Sequence, residues 1–172
     1  MQSPSLKEID EIRKAGYRPQ VVGCFLKDKE ILFLFKKEHE LWQFPQGGID
    51  NHETAEEAIF REMGEELGDD FINGAEIDSV IGRSAIDFPK NSENLRELRT
   101  DDGIEMVMKG KEYFFMAINA SKKDLDIKKT EFDEYEWADY DKALEVCEMI
   151  YQKGKRRITI DALGALHEQN LL

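Results

Sequence analysis

Between Thr54 and Leu67, apolar residues recur at Ala55, Ile59, Met63 and Leu67, a four-residue spacing that lines one side of a helix. Such a seam must be laid against another layer, and the runs before it supply a sheet. "QVVGCFL" (Gln20 to Leu26) and "ILFLF" (Ile31 to Phe35) are β-branched and aromatic, and the polar segment Lys27 to Glu30 between them predicts a hairpin. "LWQFPQGG" then leaves the sheet, because Pro45 cannot donate to a ladder and Gly47 and Gly48 open backbone geometry closed to other residues. Gly68 supplies the helix stop.

The rest of the chain builds around this unit. Ser5 and Glu8 have capping-box spacing ahead of Leu6, Ile9 and Ile12, which predicts a helix within residues 1–15, stopped by Gly16. Residues 75–88 and 112–120 read as strands, and the polar stretch from Asn91 to Gly103 between them reads as a surface loop. "EYEWADYDKALEVCEMIYQ" passes from a short strand into a helix capped at Asp139 or Asp141, and "RRITIDALGALHEQ" predicts a last helix. Repeats, linkers and composition breaks are absent, so the expectation is one α/β or α+β domain over residues 1–172.

Composition narrows the chemistry. A net charge of -13 argues against an extended grip on a polynucleotide. Cys24 and Cys147 lie far apart and read as reduced core thiols, and His39, His52 and His167 form no metal-ligand pattern. No apolar run approaches the roughly 20 residues of a membrane span, and the N-terminus lacks a signal pattern, so a cytoplasmic location is expected.

Gly47 to Asp69 concentrates six glutamates and two aspartates in 23 residues. On the helix, Glu62 shares a face with Glu65 and Glu66 while the apolar seam turns to the core. Carboxylates forced to converge need a proton or a cation, and oxygen-only ligands suit Mg²⁺ or Mn²⁺, which recruit substrate phosphates. Arg61 stands four residues from both Glu57 and Glu65, in reach of either. A solvated acidic helix face is the alternative that spacing leaves open.

The full pattern goes further. From Gly47 there are five residues to Glu53, seven more to Arg61 and Glu62, then Met63, one residue, Glu65 and Glu66, one residue, and Gly68. This resembles the Nudix box; Asp69 stands where that family usually has an apolar residue, and Phe71 is the expected substitute. The resemblance implies an αβα sandwich with a mixed sheet and a loop-helix-loop box. It implies metal and catalytic roles for Glu62, Glu65 and Glu66, a coordinating carbonyl at Gly47 or Gly48, a pair of Glu53 and Arg61 that braces the loop against the helix, and structural roles for Gly48 and Gly68.

"GYRPQVVG" (Gly16 to Gly23), "LWQFPQGGID" (Leu41 to Asp50), "KGKEYFFM" and "TEFDEYEW" (Thr130 to Trp137) are similar to the RNA pyrophosphohydrolases and to the asymmetric diadenosine tetraphosphate hydrolases within that family. The likeness implies an Mg²⁺- or Mn²⁺-dependent hydrolase that converts 5′-triphosphate or 5′-diphosphate RNA ends to 5′-monophosphates. The competing expectations are cleavage of diadenosine tetraphosphate to ATP and AMP and, more remotely, a nucleotide-binding module without catalysis. Glu131, preceded by Thr130 where the subgroup often has proline, is implied as a further metal or catalytic group. The general base is Glu65 or Glu131. Arg18, Gln46, Lys111 and Lys155 are the expected substrate-binding residues. The cluster Lys153 to Arg157 either borders the substrate pocket or balances a helix terminus.

Overall fold

The apolar runs read as strands alternate their side chains into two separate cores, which is why they lack the polar face of a half-exposed sheet. Along β1 (Tyr17–Lys27), Val21 and Phe25 enter one core while Val22, Cys24 and Leu26 enter the other. In β2 (Glu30–Lys36), Leu32 and Leu34 are opposed in the same way by Ile31 and Phe33. The computed structural model describes residues 1–90 and 96–172.

Around these strands the chain adds α1 (Leu6–Lys14), β3 (Leu41–Gln43), β4 (Gln46–Gly48), α2 (Ala55–Leu67), the short α3 (Asp69–Ile72) and β5 (Glu76–Asp87). It continues through β6 (Glu97–Arg99), β7 (Glu105–Val107), β8 (Gly110–Asn119), β9 (Glu134–Ala138), α4 (Tyr140–Glu148) and α5 (Lys153–Glu168). The main sheet runs β3-β2-β1-β8-β5, with β4 also paired to β1 and β9 to β2. β1 and β8 are parallel over Tyr17 to Leu26, and the other pairs are antiparallel, so the sheet is mixed. α1, α2 and α3 contribute to one core, α4 and α5 to the other, giving an αβα sandwich.

Local signals explain the helices. Ser5 and Glu8 form the capping box of α1, and Thr54 and Glu57 form that of α2. Ala55, Ile59, Met63 and Leu67 are all buried. Gly23 lets α2 approach the sheet, since a Cβ there would crowd Met63 Sδ. Asp139, whose side chain accepts from the Lys142 amide, caps α4. Phe71, 2% exposed, packs at the exit of α2, and Asp69 is exposed.

One expectation needs revision. Within the stretch from Asn91 to Gly103, residues 91–95 lie outside the described ones, but Glu97–Arg99 pairs with Glu105–Val107 as a hairpin. The cluster Lys153 to Arg157 opens α5, where cations oppose the dipole of that helix, so the terminus it can balance belongs to a neighbouring helix. Arg156 instead donates to the carbonyls of Glu148 and Ile150 at the end of α4, where positive charge is favoured. Cys24 and Cys147 are buried free thiols, both pushed up in pKa by burial, to about 12 and about 11. No helix among the described residues is long and apolar enough to cross a membrane.

Candidate active site

β4 is a three-residue partition between two chemically different walls. It pairs with β1 in the register Gln20 to Gly48, Val21 to Gly47 and Val22 to Gln46. Strand alternation then turns Gly47 toward the α2 face and turns Gln46 and Gly48 toward the α5 face. The glycines confirm the geometry: a Cβ on Gly47 would overlap the Glu62 carboxyl group, and one on Gly48 would overlap the Arg18 guanidinium.

On the α2 side, Arg61 organises the acidic wall. Its Nε and Nη2 donate to the two carboxylate oxygens of Glu53, each at 2.8 Å, Nη2 also reaches the Gly48 carbonyl at 2.9 Å, and Nη1 donates to Glu62 Oε1 at 2.7 Å. Arg61 therefore serves Glu53 and Glu62, rather than Glu57 or Glu65 as helical spacing allowed; Glu57 is occupied by the Thr54 cap. The guanidinium holds the Glu53 carboxyl below its usual range against the opposing effect of burial. Glu66 accepts from the Gln46 amide at 3.3 Å. Burial chiefly, with the charges of Glu62 and Glu131, raises its pKa to about 8, against smaller opposing effects of the Gln46 amide and Lys155.

Glu131 is brought to this wall from a distant loop. Its amide donates to the Glu66 carbonyl at 3.0 Å, while Lys36 Nζ donates to the Glu131 carbonyl at 2.6 Å. An open groove is lined by Lys36, Gln43, Gln46, Glu66, Glu131 and Lys155. Glu65 is exposed on α2. Gly68, at φ +87, occupies a backbone region that favours glycine and ends α2.

On the α5 side the charge is positive. Arg18 and Lys111 are register partners on β1 and β8. Lys155 Nζ donates to Gln43 Oε1 at 2.6 Å. Burial first and neighbouring cations second push the Lys111 and Lys155 ammonium groups below their ordinary range. Among the described residues, Arg18, Lys111 and Lys155 have no carboxylate within ion-pair distance. Three cations outside any ion pair among the described residues, with a carboxylate wall beside the same narrow strand, suit a phosphate chain with a bridging cation.

The acidic wall is open where such a cation would sit. Among the described residues, no three His, Cys, Asp or Glu side chains already converge on one ion-sized point, so the acidic ridge is not a closed cage. The chemistry nevertheless fits: the ligands on offer are oxygens, and the Glu66 carboxyl sits among like charges that a hard divalent ion would relieve. Gln43 and Lys36 were missed in the sequence. Gln43 stands in "LWQFPQGG" but carries no charge to mark it, and Lys36 reaches the site only through strand pairing that brings β9 beside β2.

Comparison with known proteins gives the family of the chain. The family model for the NUDIX domain matches residues 17–159. An RNA pyrophosphohydrolase from a Nitratiruptor species is 34% identical over 137 residues, covering 75% of this chain and 82% of that protein. Another, from a Marinomonas species, is 32% identical over 129 residues, covering 73% and 77%. The E. coli dihydroneopterin triphosphate pyrophosphohydrolase has a similar fold, with a TM-score of 0.57 at 17% identity over 86% of this chain and 94% of its own. The chain belongs to the NUDIX domain family.

Proposed function

We propose that this chain is a divalent-metal-dependent phosphoanhydride hydrolase acting on the 5′-triphosphate or 5′-diphosphate end of RNA to leave a 5′-monophosphate. The observation that carries the reading is the opposition of Glu62, Glu66 and Glu131 to Arg18, Lys111 and Lys155 across Gln46–Gly48. Support for an RNA end comes from the relatives that carry the name RNA pyrophosphohydrolase. The net charge of -13 is compatible, because only the terminal nucleotides need to be held. Residues 1–172 act as one unit, in the cytoplasm, where Cys24 and Cys147 stay reduced.

Nudix hydrolases use divalent metal ions; Glu62 and Glu66 would hold one here, with Glu65, Glu131 and the Gly47 carbonyl as further oxygen donors. When bound, Mg²⁺ or Mn²⁺ supplies charge neutralisation and acidifies water for attack at phosphorus. Arg18, Lys111 and Lys155 bind the phosphate oxygens, and Gln46 keeps Glu66 turned to the groove through its backbone amide. Glu131 lines the groove beside Glu66 and Glu65 does not, so we assign Glu131 the removal of the water proton. Pyrophosphate or orthophosphate leaves from the side of the cations.

The direct test compares phosphate release from triphosphorylated RNA with cleavage of diadenosine tetraphosphate at equal enzyme and Mg²⁺. Faster RNA turnover is expected. A preference for diadenosine tetraphosphate, giving ATP and AMP, would replace this reading with the second enzymatic one, and binding without turnover of either would make the chain a nucleotide-binding module. In the same assay Arg18→Gln is expected to raise KM for the RNA about 10-fold or more, the loss of a charged hydrogen bond, with a smaller change in kcat. An unchanged KM would remove Arg18 from the phosphate site.

A further inference from the structure

We propose that Arg13, on a helix that precedes the family-matched residues 17–159, is a positioning residue that holds the Glu62 carboxylate in place through a relay of charged hydrogen bonds. Arg13 is 2% exposed, a rare setting for a guanidinium unless several partners meet it. Those partners are the loop entering α2: Nη2 donates to the Asp50 carbonyl at 2.7 Å and to the Ile49 carbonyl at 3.0 Å. Its charge is compensated by Asp101, 3.1 Å away in the loop joining β6 and β7, and by Asp10 one turn earlier on α1.

The relay continues without a gap. The Asp50 amide donates to Glu53 Oε2 at 2.8 Å, Glu53 takes both fork nitrogens of Arg61, and Arg61 binds Glu62 and the Gly48 carbonyl. Asp101 locks the same loop from outside, accepting from Asn51 Nδ2 at 2.8 Å and from the His52 amide at 3.2 Å. The Asp101 amide in turn donates to Asp10 at 2.7 Å. Helix, hairpin and box loop are thus joined at one buried guanidinium. A planar fork can bridge two adjacent carbonyls and a carboxylate at once, whereas an ammonium keeps the charge without that geometry. Outer partners of this kind orient the groups that hold an ion, and their removal commonly weakens metal affinity or activity 10- to 100-fold, as an order of magnitude.

This inference rests on the metal-dependent reading above, and its test separates the two. Mn²⁺ is titrated calorimetrically into the intact 172-residue chain without RNA, and kcat and KM are measured at saturating Mn²⁺. Arg13→Lys is expected to bind Mn²⁺ about 10-fold more weakly than the native chain, with KM for RNA within about twofold. Should the lysine variant not fold, the triple variant Asp10→Asn, Arg13→Met, Asp101→Asn removes the buried charges together and is expected to show the same weakened binding. A folded variant of either kind with native Mn²⁺ affinity, or with activity reduced only in proportion to its folded fraction, overturns the role of Arg13 and leaves the hydrolase reading standing. If Glu62→Gln and Glu66→Gln also leave Mn²⁺ binding unchanged, the metal reading fails and this inference fails with it.

Discussion

Glu66→Gln is expected to abolish measurable hydrolysis, by about 10³-fold or more, and at the same time to make the metal-free protein more stable at pH 8. The two effects have one cause. In the folded chain the Glu66 carboxyl has a pKa of about 8, raised first by burial and then by Glu62 and Glu131, against an ordinary value of 4.5. Between those values the folded state holds a proton that the unfolded state has released, so unfolding free energy falls as pH rises. The stabilisation of the protonated form is complete below about 4.5 and is lost by the time pH passes about 8. The accumulated penalty is on the order of a few kcal/mol, a large share of the 5–15 kcal/mol typical of a domain. Glutamine keeps the shape and accepts from the Gln46 amide without acquiring charge, so its stability should be flatter over that window. Urea unfolding in EDTA at pH 5, 6.5 and 8 reads the difference; parallel curves for the two proteins would show that Glu66 does not carry this strain. Adding Mn²⁺ at pH 8 should stabilise the native chain and not the variant, because the ion takes the place of the proton.

How far the sequence foretold this site depends on whether each contact is local. The seam of α2 and its two ends are periodic and punctuated, and Thr54, Ile59, Met63, Leu67 and Gly68 stand where that pattern puts them. Glu62 and Glu66 follow from the same periodicity. The partner of Arg61 follows from the family resemblance, which pairs it with Glu53, and not from helical spacing, which offered Glu57 and Glu65: a loop that folds back brings Glu53 to the fork, and Thr54 claims Glu57. Lys155 and Arg156 adjoin in one basic run, yet the former reaches Gln43 and the latter the end of α4, a division decided by which side of α5 each occupies. The strand of Glu97–Arg99 was hidden by its charged composition, since a hairpin outside the main sheet needs little apolar sequence. Arg13 gave no sign at all, because two of its partners are backbone carbonyls, which every sequence possesses, and Asp101 reaches it from a distant hairpin.

Gly47→Ala is the sharper test of the partition, because the adjacent Gly48→Ala supplies a control one residue away that points to the opposite wall. At Gly47 the new methyl would fall within the contact shell of Glu62 Cγ, Cδ and Oε2. That carboxyl is fastened on its other side by Arg61, itself held by Glu53 and the Gly48 carbonyl, so the group cannot simply turn aside. Either β4 separates from α2 or Glu62 leaves its place, and both pull an oxygen donor out of the acidic wall. Turnover is expected to fall about 100-fold or more, with weaker Mn²⁺ binding and KM for RNA nearly unchanged at saturating metal. At Gly48 the methyl meets the tip of Arg18, a long side chain able to swing away. Gly48→Ala should therefore raise KM for RNA while leaving Mn²⁺ affinity near native. The opposite split, with Gly48→Ala losing metal and Gly47→Ala losing only RNA affinity, would mean that β4 faces its two walls the other way round; equal and native behaviour of both would mean that neither wall is built on this strand.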